Sequence, residues 1–333
     1  MNDLIATDPQ THQLQSMVAM IEAAKSYADN SHASNTKRAY RSDWADFEGW
    51  CQLNGLKALP AEPGTIALYL TDRASTLKAS SLARRLATLR QAHQMAGFHL
   101  DTRHPLINKT WKGIKNTIGT AQKGKNPVLI EDLREMMELL PATLHGVRNR
   151  ALLLLGFSGA FRRSELTGLE IADLSFNRDG ITVQLRRSKT DQEGSGRQVA
   201  IPYGTNGSTC PVRAVQDWIA GGGIVSGPLF RAVDRHGRVQ QERLSDQSVA
   251  NIVKQSVRAI ASARGMDFAA ADEFSSRFAG HSLRAGLATS AAMAGATESS
   301  IMRQTGHRRA DTVRKYIRLG TLFTDNAAAR VGL

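Results

Sequence analysis

Cysteine is almost missing from this 333-residue chain: Cys51 and Cys210 stand alone, without the C-x-x-C spacing of a zinc site or the even set of a disulfide framework. Long apolar runs are missing too. The stretch 151–157 (ALLLLGF) is far shorter than a bilayer crossing, and the first residues carry neither a basic flank nor an apolar segment for export. No membrane partner is expected, and the expected location is the cytoplasm. No segment repeats, no tract is of low complexity and no carboxylate cluster points to a metal, so neither metal nor cofactor is expected. Aromatic residues make up only 6% of the chain, yet 41% is hydrophobic and 22% charged, a composition that folds and excludes a disordered basic tail.

Positive charge is what the chain has in excess. Lys and Arg number 43 against 30 Asp and Glu, a net charge of +13, and 31 of the basic residues are arginine. Arginine offers a planar fork that matches phosphate oxygens, whereas a merely soluble surface more often carries lysine. The excess is +6 over residues 1–125 and +7 over 126–333, so both halves are able to grip one polyanion. A basic but inert surface has the same net charge.

The organisation reads as mainly α with a small β-sheet. In the first part, Met17, Val18, Ile21 and Ala24 recur at helical spacing from Leu14. Ser34-Asn35-Thr36 caps a helix with Tyr40, Trp44, Phe47 and Cys51 on one stripe, and a third helix runs through Ile66, Leu68 and Leu70. A fourth, over about 80–95, turns Leu82, Leu86, Leu89 and His93 inward, and a fifth carries Trp111, Ile114 and Ile118. Residues 1–119 thus form a helical domain, and 120–127 (TAQKGKNP) a basic linker ended by a proline. Residues 128–333 form a second domain. Helices are expected there at about 130–140, 143–157, 164–169, 211–220, 245–263, 283–294, 297–304 and 310–317, with a β-hairpin from 181–185 to 199–201.

Four clusters in the second domain carry chemistry: 159–166 (GAFRRSEL), Lys189 in the hairpin turn, 281–284 (HSLR), and Gly306-His307 with Tyr316 nine residues beyond the histidine. Each alone is weak. Ser164-Glu165 suits a helix start, and His-x-x-Arg recurs at His145 to Arg148, where a helix surface is expected. In combination they resemble the tyrosine recombinase (phage integrase) family, whose catalytic domain has Arg, Lys, His-x-x-Arg, His or Trp, and Tyr in that order. The matching residues are Arg162, Lys189, His281, Arg284, His307 and Tyr316. The resemblance extends to Trp50-Cys51-x-Leu53-Asn54, Pro60-Ala61-Glu62-Pro63, Leu244-Ser245 and Tyr316-Ile317-Arg318, and covers nearly the whole chain.

That resemblance implies a two-domain clamp on duplex DNA, a helical core-binding domain and an α/β catalytic domain. Transfer at a phosphodiester brings a nucleophile against an anion and then stabilises a state with more negative charge. Arg162 and Arg284 would place forked donors on the non-bridging oxygens. Tyr316 would be the nucleophile, His281 its proton acceptor, and Lys189 the general acid for the departing 5′ oxygen. His307 would donate to the phosphate, and Glu165 would orient the network. Arg163 is either a second phosphate contact or a surface charge.

Further DNA contacts are expected from Lys37, Arg38 and Arg41, and from the helix with Ser80, Ser81, Arg84 and Arg85. Lys109, Lys112, Lys115, Lys123 and Lys125 would touch phosphates, and the resemblance, which puts the Ser80 to Arg85 helix in one major groove, puts Gln247, Ser248 and Asn251 on the opposite face. Implied partners are double-stranded DNA with inverted-repeat half-sites, a homodimer on one site and a homotetramer on synapsis. Leu319, Leu322, Phe323, Ala327, Ala328 and Val331 would supply an oligomerisation helix. Two alternatives stay open: a type IB topoisomerase-like activity and a non-catalytic DNA-binding protein.

Overall fold

The computed structural model describes residues 20, 22, 34–121, 124–186, 196–322, 328 and 331, which fall into two compact units, Met1–Lys123 and Gly124–Leu333. Lys123, Lys189, Phe323, Ala327 and nearly all of the helix expected from Leu14 lie outside the described residues. Among the described residues no helix is long and apolar enough to cross a membrane.

The first unit has helices α1 (Ser34–Leu53), α2 (Pro63–Ala74), α3 (Ala79–Met95) and α4 (Pro105–Ile118). Proline opens α2 and α4, where its fixed φ suits the helix and its missing N–H costs nothing. Their apolar stripes meet in a core of Phe47, Cys51, Ile66, Tyr69, Leu70, Leu82, Leu89 and Ile107, each large side chain contributing about 2 kcal/mol. Of the apolar residues Ile66, Leu68 and Leu70 on α2, Leu68 is 59% exposed, because two residues from Ile66 the helix has turned to its other face. His93 is buried; its Nδ1 donates to the Leu89 carbonyl (2.7 Å) and its Nε2 accepts from the Ala61 N–H (2.9 Å).

The second unit is built around α6 (Leu144–Ser158), whose residues Ala151 to Phe157 are all buried. A helix apolar on every side belongs inside a fold. Around it lie α5 (Ile130–Leu139), α7 (Arg163–Gly168), α8 (Pro211–Gly221), α9 (Asp246–Ala263), α10 (Phe268–Ser276) and α11 (His281–Met293), then α12 (Glu298–Thr305) and α13 (Ala310–Gly320). The fully buried Trp218 of α8 donates its indole N–H to the Leu229 carbonyl at 2.8 Å.

The expected hairpin is β2 (Gly180–Leu185) and β3 (Arg197–Pro202), paired antiparallel with Ile181 opposite Ile201 and Val183 opposite Val199. Four elements lack a sequence signal. Strand β1 (Leu174–Phe176) extends this sheet but, like β4 (Arg231–Val233), is too short to show alternation, β5 (Val239–Arg243) is largely polar, and α10 is short and Ala-rich. The second His-x-x-Arg also departs from expectation. Arg148 is buried, donating to Asn149 Oδ1 (2.9 and 3.1 Å) and the Arg231 carbonyl (3.4 Å), because β4 covers the first turns of α6. His145 likewise meets the Val233 carbonyl at 3.0 Å.

Two glycines let the site-bearing helices close up. A Cβ on Gly156 of α6 would lie 3.0 Å from both Leu166 of α7 and Leu283 of α11. One on Gly286 of α11 would fall 1.9 Å from the Val128 carbonyl oxygen. The helices carrying Arg162 and Arg284 are therefore packed against the same buried rod.

Candidate active site

The site begins where α6 stops. Ala160 takes a left-handed conformation (φ 49°), which costs a non-glycine residue about 1 kcal/mol, and its carbonyl faces α11. Arg284, 1% exposed, donates to that carbonyl through Nη1 at 2.8 Å. Arg162 is the N-cap of α7, where backbone N–H groups lack helical partners. Buried Glu165 accepts from the Arg162 N–H (2.9 Å) and from Arg162 Nη1 (2.5 Å), so one carboxylate both caps the helix and holds the guanidinium. Thr167 of α7 donates to Asp246 at the start of α9 (2.9 Å), which anchors the short helix.

His281 opens α11 and Tyr316 lies on α13, with His281 Nε2 2.9 Å from the Tyr316 hydroxyl. Desolvation, and then the charges of Arg284, Arg162 and Arg163, hold His281 below its usual range. Desolvation pushes the Tyr316 phenol up, against an opposing pull from Arg284. Both directions put the resting proton on the phenol, which donates to a neutral imidazole. Arg163 itself is exposed, with its aliphatic stem against Gly280 just before His281.

A second histidine completes the cluster. His307 Nε2 lies 3.1 Å from Arg284 Nη2, and since a guanidinium only donates, Nε2 accepts. The proton of the neutral ring is then on Nδ1, which donates to Thr305 Oγ1 at 2.7 Å, while the Thr305 hydroxyl donates to the Ile301 carbonyl (2.7 Å). Desolvation, with the charges of Arg284, Arg162, His281 and Arg197, holds His307 at about 4. The expected donation from His307 to phosphate is thus replaced in the resting site by acceptance from Arg284. Burial, reinforced by Arg162, also lowers the Arg284 guanidinium, to about 10.

The structure brings Arg162, Glu165, His281, Arg284, His307 and Tyr316 together; Lys189 lies outside the described residues. Arg197 of β3 joins them unanticipated. Its charge bears on Arg284 and His307, and its only sequence signal is a basic residue opening a strand after a Gly-rich turn. Thr305 was also missed, hidden in an ordinary helix end.

The expected DNA-facing residues divide by environment. Arg84 grips buried Asp43 through both oxygens (2.8 and 2.9 Å), and Arg85 is engaged by Asp46 and Tyr69, so neither is a free surface charge. Asp46 is desolvated, but bonds from Tyr69, Arg73 and Arg85 outweigh this and hold its carboxyl below the usual range. Arg38 and Arg41 are exposed, Arg38 donating to Asn35 (2.7 Å); Lys37 and Ser81 are half-buried and Ser80 is exposed. Lys109 and Lys112 are exposed, and Lys115 sits 5.6 Å over the Trp111 ring. In the second unit Lys125 donates to the Ser276 carbonyl (2.7 Å), and on the first turns of α9 Gln247 donates to Asn251 (3.0 Å) beside half-buried Ser248. Leu319, Leu322 and Val331 are 53%, 56% and 73% exposed, and Ala328 is exposed.

Comparison with known proteins places these features. The model of the phage integrase family matches residues 128–321, and that of the phage integrase N-terminal SAM-like domain matches residues 10–97. An integrase/recombinase xerD homolog from Selenomonas ruminantium is 41% identical over 312 residues, spanning 92% of this chain and 88% of its own. The recombinase cre of Escherichia phage P1 is 25% identical over 291 residues, spanning 83% and 80%. Among solved structures, the Tn1549 transposon integrase in complex with circular intermediate DNA has a TM-score of 0.57 at 14% identity, covering 90% of this chain and 94% of that one. XerH recombinase in its post-cleavage complex with difH substrate has 0.56 at 17%, covering 80% and 72%.

Proposed function

Since the chain belongs to the phage integrase family and is a tyrosine site-specific recombinase, we propose that Tyr316 attacks a DNA backbone phosphate and forms a 3′-phosphotyrosine. The 2.9 Å contact between His281 Nε2 and the Tyr316 hydroxyl, set beside buried Arg284 and half-buried Arg162, carries this reading. In the step, the phenolic oxygen bonds to phosphorus, the phenol proton passes to His281, and the bond from phosphorus to the 5′ oxygen breaks. That oxygen takes a proton from Lys189, the role the family resemblance gives it. The non-bridging oxygens gain negative charge on the way, and Arg162 and Arg284 answer it with forked donors. Glu165 orients Arg162. The DNA complexes of the Tn1549 and XerH proteins support duplex DNA as the partner.

The phosphotyrosine conserves the broken linkage, so attack by a second strand's 5′-hydroxyl reverses the chemistry without an external energy source. Sequential exchange through a Holliday junction then requires four copies on two paired sites, each made of inverted half-sites. The exposed Leu319, Leu322 and Val331 beyond the nucleophile are the surface for that assembly.

The test is a nicked duplex carrying a site selected from a random library by this protein. The wild type is expected to yield a protease-sensitive covalent adduct, and Tyr316→Phe none. An adduct surviving in Tyr316→Phe, or no wild-type adduct on a bound site, overturns the reading. Relaxation of a plasmid without the selected site overturns the recombinase assignment in favour of topoisomerase-like action.

A further inference from the structure

We infer that Arg197 is a positioning residue of this site: it clamps the turn at Gly306 and thereby fixes the His307 ring beneath Arg284. The inference rests on the proposed phosphoryl transfer. Arg197 opens β3, leaves the sheet and reaches the end of α12, where its Nη1 donates to the Gln304 carbonyl at 3.2 Å. Carbonyls in the last turn of a helix have no helical donor, so this bond satisfies a group the helix leaves open. Gln304 adds a second tie, donating to the Ser158 carbonyl (2.7 Å) and the Ala200 carbonyl (3.3 Å). The turn that presents His307 is thereby fastened to both β3 and the end of α6.

Gly306 shows how close the clamp is. Its φ of 65° favours glycine by itself, and a Cβ there would also fall 2.8 Å from the Arg197 guanidinium carbon and Nε. The fork lies against the bare Cα of the residue before His307. A lysine has one point donor and no plane, so it cannot make the same contact.

Charge makes the second half of the case. Arg162, Arg197 and Arg284 stand with Glu165, the one carboxylate among the described residues that bears on Arg197 and Arg284. Among the described residues, Arg197 Nη2 and Arg284 Nε are buried with no hydrogen-bond partner. Unpaired buried donors are rare because each carries a desolvation cost, and here they mark a site with more donors and more positive charge than its own residues neutralise. An incoming phosphate, gaining charge as the transition state forms, removes that imbalance. Arg197 acts there through His307, on which both its charge and its hold on the turn bear, and it need not touch the phosphate.

Arg197→Gln in the full chain tests the inference, with Arg197→Lys and His307→Gln beside it. On the nicked duplex, Arg197→Gln is expected to slow single-turnover cleavage by roughly tenfold, as slight misplacement of a reacting group does, with binding changed less than about threefold. Arg197→Gln/His307→Gln should be no more than about twofold slower than His307→Gln, because the two residues act through one ring. Wild-type cleavage in Arg197→Gln, or losses that multiply in the double variant, overturns the inference. A readout independent of cleavage is the titration of His307 followed by NMR of labelled histidine. The groups facing that ring are Arg284, Arg162, His281, Arg197, Tyr316 and Thr305. The titration midpoint should rise in Arg197→Gln and stay low in Arg197→Lys, which keeps the charge. An unchanged midpoint and Nδ1–H signal in Arg197→Gln overturns the inference even if the wild type makes no adduct, whereas a missing adduct alone sinks only the chemistry. Should Arg197→Gln fail to fold, Arg197→Lys decides: full-speed cleavage there, without the planar contact, is the refuting result.

Discussion

Acid should loosen this protein through His307 in a way that can be isolated. The ring is held neutral down to about 4, while in the unfolded chain it titrates at its ordinary 6.5. Between those values the unfolded state binds a proton that the native state refuses, so stability falls as pH drops through 6.5 and the loss levels off below about 4. At pH 5, one and a half units below 6.5, a shift worth about 1.4 kcal/mol per unit gives ~2 kcal/mol, and solvent screening of a partly exposed ring brings the expected loss to about 1 kcal/mol. Gln is the comparison of choice, because its amide accepts from Arg284 and donates to Thr305 without titrating. Urea unfolding of wild type and His307→Gln at pH 7 and pH 5 reads the difference, provided both show the same m-value. The lowered His281 and the carboxylates contribute to both proteins and cancel in the comparison. The wild type should lose about 1 kcal/mol more than the variant; equal losses would show that the ring is not held neutral, and the accounting of its two nitrogens would fall with it.

Gly286→Ala should destabilise although alanine favours a helix by about 1 kcal/mol, because the added methyl meets the Val128 carbonyl at 1.9 Å. Overpacking of that kind costs about 3 kcal/mol, and the net loss should lower the melting temperature by about 6 °C; a rise would show that α11 has room to move. Thr305→Val keeps the shape but removes the acceptor of the His307 Nδ1–H, so about 1–2 kcal/mol of stability and the single tautomer seen by NMR should both be lost. Asp43→Asn should cost about 2 kcal/mol, because two bonds from Arg84 end on a buried carboxylate, and a loss below about 0.5 would make the pair ornamental. Lys109→Gln and Lys112→Gln should each flatten the salt dependence of duplex binding by about 0.9 if each neutralises one phosphate, and an unchanged slope removes that lysine from the interface.

Legibility in the sequence followed the strength of each local signal. Helices with a clear period, such as α9 with its Ser245 cap, ended within a residue or two of their expected bounds. Strand β1 has only three residues, and α10 is short and Ala-rich, so neither offered a pattern to read. Helix α6 shows another limit. Its run of apolar residues signalled burial, but not that the burial extends to Arg148, because what covers that side chain comes from β4, more than eighty positions away. The site divides likewise. Order along the chain identified Arg162, His281, Arg284, His307 and Tyr316 as a set, because their residue types answer the charge and proton needs of one reaction. Arg197 and Thr305 act on those residues, not on a reactant, and such roles appear only when distances do. Arg84 and Arg85 show the opposite case, arginines that the family resemblance assigned to DNA and that the structure finds engaged with Asp43 and Asp46.

The resting site contains a conflict whose resolution bears on how binding and chemistry are ordered. The family role for His307 is a donor to phosphate, yet its Nε2 faces a donor, Arg284 Nη2, and its other nitrogen is committed to Thr305. A neutral ring in this arrangement has no proton to offer. When a phosphate oxygen draws Arg284 Nη2 away, the His307 Nε2 lone pair is left facing an anion, which is unfavourable until a proton arrives. The phosphate's own charge supplies the driving force, since a nearby anion favours the imidazolium and opposes the desolvation and guanidinium charges that now keep the ring neutral. Engagement of the scissile phosphate is therefore expected to take up a proton, seen as an affinity that rises as the buffer is made more acidic from pH 8 to pH 6. His307→Gln should lose that pH dependence because its amide does not titrate. If wild type and variant bind with the same pH dependence, His307 stays neutral in the complex and the donor role belongs to the arginines alone.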